Sequence, residues 1–186
     1  MKTYEFAYGR STKKFTIDEE LVIKEVVTQP FPVMTDIKSG VLEAIYNPIG
    51  CEPIDKIIKP GDTVAFICND PTRVANSYDF MPVLVNEMNR LGVKDEDMRI
   101  VFALGTHRDM PHEEMAQSVG QEVASRIKMY NSTATKSKDF QYFGTTSRGT
   151  PVWINKLLCD VDHVIMTGSI VHHYFSGYGG GRKAIL

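Results

Sequence analysis

The 186-residue sequence has only three cysteines, Cys51, Cys68 and Cys159, set far apart. An odd, scattered count builds neither a disulfide framework nor a CxxC metal site, and it points to a reducing, cytoplasmic setting. There is no excess of one charge. Lys and Arg total 21 against 23 Asp and Glu, a net charge of -2, so the chain has no electrostatic footprint for nucleic acid or an anionic membrane. No apolar run approaches the ~20 residues that span a bilayer. The opening residues, MKTYEFAYGRSTKKF, lack the apolar core of a signal peptide. Neither GxxxxGK[ST] nor GxGxxG occurs, and no histidines stand at HxxxH or HxH spacing. Internal repeats and low-complexity segments are absent too. These absences leave a chain long enough for one α/β domain with a sizeable core.

The first 28 residues read as β. Thr3–Ala7 is a candidate strand, and Val22, Lys24 and Val26 alternate before Pro30 and Pro32 interrupt. A short helix is predicted over 36–46, with Ile37, Val41 and Ile45 four apart, stopped by Asn47-Pro48. From residue 54 strands and helices alternate. TVAFIC (63–68) is a short β-branched run suited to a strand buried on both faces. A helix over 78–91 carries Met81, Leu84, Val85, Met88 and Leu91 on one side, ending at Gly92. RIVFAL (99–104) is the second buried strand, followed by one helix over 111–127 with Asp109 as its cap. Residues 131–150 read as a polar loop around a short strand at 141–143. Residues 151–158 suit helix or strand equally. HVIMT (163–167) is the third buried strand. The alternation implies βαβ units: a mostly parallel sheet flanked by helices, a Rossmann-like three-layer domain with an N-terminal β segment.

In such sheets ligands sit outside the carboxyl ends of the strands, and the polar residues of this chain fall there. Arg73 follows the first buried strand in DPTR. Its guanidinium either clamps a carboxylate or phosphate or pairs with Asp70 inside a turn. His107, in GTH, follows the second, either as a proton carrier or as a histidine bonded to nearby backbone. His172 and His173 follow the third. Neighbours on extended chain point opposite ways, so at most one of them faces a site that His107 faces. His112 reads as a solvated helix residue. Then comes GYGGGRK (177–183). Consecutive glycines let backbone approach a ligand and offer N–H groups to an anion, and Arg182 and Lys183 add cations. The plainer reading is a flexible loop with a basic end.

Together FICNDPTR, ALGTHRDM and GSIVHHYFSGYGGGRKAIL resemble the lactate racemase family in content, order and spacing, over essentially the whole chain. The resemblance implies an enzyme of two α/β domains with the site between them, of which residues 1–186 form the N-terminal catalytic and cofactor-binding part. It implies a nickel-pincer mononucleotide tethered to Lys183 through a thioamide. Gly179, Gly180 and Gly181 would lie against that cofactor and Arg182 near its phosphate. It further implies a small 2-hydroxy acid as substrate, racemised by hydride transfer to the cofactor. His107 and His173 are then the two bases, Arg73 the carboxylate clamp, and Asp70 the group that positions Arg73 or a histidine.

One departure from the family is large. Its nickel-ligating histidine lies beyond the lysine, and this sequence ends at Leu186. No residue here takes the metal role, and the second domain, or a chain supplying it, is a missing partner. The expectation is a folded, cofactor-free protein that is inactive alone and open to forming a homo-oligomer. Two rival readings remain. A non-catalytic anion- or nucleotide-binding domain would use the glycine loop and Arg73 without either histidine. A zinc hydrolase built on His107, His112, His172 and His173 has neither the ligand spacing nor a placed carboxylate base.

Overall fold

The β signal at the start of the chain becomes a hairpin. In the computed structural model, which describes residues 1–174 and 176–185, strands β1 (Lys2–Tyr8) and β2 (Ser11–Ile17) pair antiparallel around a turn in which Gly9 takes φ +60°. Phe15 stacks against Tyr4 and Phe6 on one face, with ring centroids 5.6 and 5.3 Å away. The alternation at Val22, Lys24 and Val26 does not make a strand, since residues 22–34 have no regular structure. No third strand pairs with them. Instead Glu25 accepts hydrogen bonds from Lys2 and from the Tyr4 hydroxyl, a side-chain tether rather than a ladder. The hairpin and this segment form one compact unit, Met1–Met34, and Thr35–Leu186 forms the other.

The second unit follows the predicted alternation closely. Helix α1 (Ile37–Tyr46) is capped by the Asp36 carboxylate on the Ser39 N–H, and the single turn α2 (Ile54–Ile57) follows. Then come strand β3 (Val64–Asn69), helix α3 (Ser77–Arg90) and strand β4 (Met98–Gly105). The helix expected over 111–127 is broken. Gly120, at φ +89°, separates α4 (His112–Val119) from α5 (Gln121–Arg126). Asp109 caps neither, because its carboxylate pairs with Lys136.

Strand β5 (Lys128–Thr133) falls in a stretch read partly as loop. It is the edge of the parallel sheet, where one side needs no strand partner and the sequence is accordingly polar. Strands β6 (Phe140–Thr145) and β7 (Pro151–Asn155) form an antiparallel hairpin, which settles 151–155 as strand. Strand β8 (His163–Met166) returns to the sheet.

The sheet order is β5-β4-β3-β8, all parallel. Alternate residues of the central strands, Val64, Phe66 and Cys68 of β3 with Ile100 and Phe102 of β4, pack under α3, α4 and α5 in one core. Their neighbours Ala65, Ile67 and Val101 point to the other face and are equally buried. On that side the 3-10 turn Gly181–Ala184 packs on β3 and β8. The architecture is α/β, as the alternation implied. Among the described residues no helix is long and apolar enough to cross a membrane.

Candidate functional site

Parallel strands bring all their carboxyl ends to one edge, and the chain leaves that edge through short polar loops. Asp70 follows β3 directly and is 6% exposed. Its Oδ1 accepts from the Thr72 N–H at 2.8 Å and from the Thr72 hydroxyl, and its carbonyl accepts from the Arg73 N–H at 3.1 Å. These bonds fix a tight turn and leave Oδ2 free to look across to β4. There it meets His107, whose Nδ1 lies 3.4 Å away. Asp70 therefore serves the histidine and not the arginine. Among the described residues the Arg73 guanidinium makes no side-chain contact of its own, so the reading in which it pairs with Asp70 is set aside.

His107 is presented by a turn after β4, in which Gly105 takes φ +57° and the His107 N–H bonds the Leu104 carbonyl at 2.9 Å. A carboxylate beside Nδ1 favours the tautomer with hydrogen there, leaving Nε2 bare. His173 is in the opposite condition. It lies on β9 (His172–His173), paired antiparallel with β10 (Gly177–Tyr178), and its Nδ1 accepts the Ser176 N–H at 3.2 Å. An accepting Nδ1 places the hydrogen of the neutral ring on Nε2. The two imidazoles thus differ in what engages Nδ1, a carboxylate for His107 and a backbone N–H for His173.

The segment that follows β10 is held by glycine. Gly179 donates its N–H to the Val171 carbonyl at 2.8 Å. Gly180 has φ +72°, and a Cβ there would stand 2.6 Å from the Ser169 carbonyl oxygen. Only glycine brings the two backbones this close. Gly181 also has positive φ, +49°, but open space where a Cβ would lie. Gly180→Ala is therefore expected to open the loop, speeding limited proteolysis between Gly168 and Lys183 by roughly tenfold, the equivalent of ~1–3 kcal/mol of backbone strain. Gly181→Ala should have a smaller effect. Equal rates for the two variants would show that the contact with Ser169 does not hold the loop.

These parts enclose a cleft of about 310 Å³ at the sheet edge. Arg73, His107, His173 and Lys183 line it, with Asp70 at its base and Gly179 and Gly180 in its wall. His172 does not line it; its ring lies against Tyr178, centroids 5.1 Å apart. Arg182 and Gly181 face an adjoining groove with Ile170 and Tyr178. In a 3-10 turn consecutive side chains diverge by about a third of a circle; Lys183 lines the cleft and this groove, Arg182 the groove alone. Asn69, the last residue of β3, also lines the cleft. The sequence reading passed over it, and its signal was its place between an apolar strand and Asp70. Cys68 beside it is no nucleophile, because burial pushes its thiol up to about 11. Among the described residues no cluster of His, Cys, Asp or Glu is placed to hold a metal ion.

With the geometry in view, the comparisons fall into line. Two lactate racemases, from Lactiplantibacillus plantarum and Thermoanaerobacterium thermosaccharolyticum, are 26% and 28% identical to this chain over all of its length. The chain spans 44% of the length of each. The structure of the lactate racemase apoprotein from Thermoanaerobacterium thermosaccharolyticum superposes with a TM-score of 0.82 at 26% identity, covering 99% of this chain and 43% of that one. The family model that matches residues 8–186 is that of the lactate racemase N-terminal domain, and the chain belongs to that family.

Proposed function

We propose that this chain supplies the proton-transfer, carboxylate-binding and cofactor-anchoring groups of a 2-hydroxy-acid racemase. The observation that carries the reading is the convergence of Arg73, His107, His173 and Lys183 on one cleft, with one imidazole beside a carboxylate and the other accepting a backbone N–H. A domain that only bound anions would have use for the cations and none for this pairing.

Inverting C2 of a 2-hydroxy acid requires its hydrogen to leave and return on the other side. That C–H is too weak an acid for a side chain to ionise, so the hydrogen leaves with its electron pair and a redox group must take it. A nickel-pincer mononucleotide bound at Lys183 supplies that hydride-accepting chemistry. The residues present suit such a group: Lys183 lines the cleft, and Gly179 and Gly180 bring backbone without side chains to its wall.

The rest falls to the chain's own side chains. Arg73 holds the carboxylate by its two-pronged guanidinium. As hydride leaves C2, the hydroxyl proton passes to the bare Nε2 of His107, and the product of this half is a 2-keto acid. The keto acid would then turn while Arg73 keeps its carboxylate, so that hydride returns to the other face of C2 as the imidazolium form of His173 gives its proton to the oxygen, leaving the opposite enantiomer and a neutral His173. Asp70 stabilises the imidazolium that His107 becomes. The substrate is small, the compartment a reducing one, and the remaining length of the relatives is the partner that closes the site. Alone, the chain leaves the cleft open to water and is expected to be inactive.

Intact mass is the test. Protein purified from cells that make the pincer cofactor should carry an adduct that Lys183→Ala lacks. An unmodified wild-type mass from such cells, beside a modified control racemase, would overturn the reading.

A further inference from the structure

Strand β3 ends in a side chain that this mechanism leaves unused. Asn69 is its last residue, and β3 lies between β4 and β8 in the sheet. From β3 the chain moves outward to β4 and β5, then crosses back to β8 on the other side. The connections therefore part between the ends of β3 and β8, the place where open α/β sheets bind their ligands.

Across that gap from Asn69 stands Gly168, at φ +142°. A Cβ on Gly168 would come within 2.6 Å of the Asn69 amide nitrogen and 3.0 Å of its oxygen. The carboxamide thus lies directly over bare backbone, in space that exists because residue 168 has no side chain. Among the described residues the Asn69 carboxamide makes no hydrogen bond, yet no fully enclosed side-chain polar atom lacks a partner. Its N–H and carbonyl groups are therefore open, and Asn69 lines the cleft as well as the neighbouring groove beside Ser77 and Glu114. A carboxamide offers two donors and an acceptor, and a fixed one with none of them used by the protein is a group available to a ligand.

We propose that Asn69 orients the substrate, its NH2 donating to the C2 oxygen and to one carboxylate oxygen of a 2-hydroxy acid. This rests on the racemase reading. The assignment complements Arg73, which grips a carboxylate whether or not a hydroxyl lies beside it. A donor to the C2 oxygen leaves the hydroxyl proton free for an imidazole. The donor serves the hydroxyl before hydride leaves and the keto oxygen after. Asn69 is then the side chain that distinguishes a 2-hydroxy acid from the same acid without the hydroxyl.

Calorimetric titration of the purified protein with lactate and with propionate tests this, using the wild type, Asn69→Leu, which nearly keeps the shape, and Asn69→Ala, which removes it. The wild type should prefer lactate by about tenfold, the worth of one well-placed hydrogen bond to a polar ligand, and both variants should lose the preference while keeping propionate binding. A preference that survives in both variants, or its absence from the wild type, overturns the assignment and leaves the racemase reading standing. Failure of the wild type to bind either acid overturns the assignment, while the racemase reading stands or falls on the mass of the adduct at Lys183.

Discussion

Replacing His107 or His173 by alanine in the full-length enzyme is expected to lower racemisation by roughly 10²–10⁴-fold each, the usual range for loss of a positioned acid or base. Both rings line one cleft, and both have Nδ1 engaged, by the Asp70 carboxylate in one case and the Ser176 N–H in the other. Because each ring serves one face, the two losses should be alike in racemisation and unlike in the partial reaction. With 2-deuterated substrate, each variant should still form keto acid from one enantiomer, and the enantiomer should differ between them. Chiral chromatography of single-turnover mixtures reads this directly. Near-normal turnover in both directions by both variants would remove the two-base assignment. Loss of the same enantiomer in both would show the histidines acting on one face.

Much of the site was legible because its parts obey strong local rules. TVAFIC is β-branched and apolar, so it reads as a strand buried on both faces, and Val64–Cys68 are all buried. Once two such strands and HVIMT are placed in parallel, Arg73, His107 and His173 must share an edge. The conflict between His172 and His173 was legible too, since alternation on extended chain admits only one of them. Gly180 was readable as a position needing glycine, though the reason, the Ser169 carbonyl at 2.6 Å, was not.

What stayed hidden depends on partners distant in the chain. Nothing near Asp70 says that it will face His107 instead of Arg73; the choice is made by the register of β3 against β4, where Asn69 stands opposite Ala103. The role of Gly168 appears only when β8 comes to rest beside β3. Residues 131–133, the polar end of β5, resembled a loop because an edge strand lacks the apolar pattern of a central one. The continuous periodicity of Met115, Val119, Val123 and Ile127 concealed the break at Gly120, because all four residues reach the same core on both sides of it. Arg182 and Lys183 are identical as signals, and only the 3-10 turn separates them.

The largest expected effect on stability comes from Phe66→Ala. Phe66 is 0% exposed at the middle of β3, in a core with Phe102, Met81, Val85 and Val119. Truncation removes the buried ring from contact with the helices and leaves a hole that strands bonded on both sides cannot close. Substitutions of this kind cost about 3–5 kcal/mol, against a total stability of order 5–15 kcal/mol for a domain. Phe143→Ala provides the comparison. Its ring is 57% exposed on β6, and its loss should fall within roughly 0.5 kcal/mol. Urea titrations of both variants would show the contrast as a large fall in the midpoint for one and little for the other, with slopes unchanged if unfolding stays cooperative. The effect should also reach the cleft. Two residues separate Phe66 from Asn69, and the same strand positions Asp70, so any of the Phe66 variant that remains folded should bind lactate more weakly. A Phe66 variant with wild-type midpoint would mean that the helices collapse onto β3 without it, and that the sheet edge is held by its loops rather than by the core beneath.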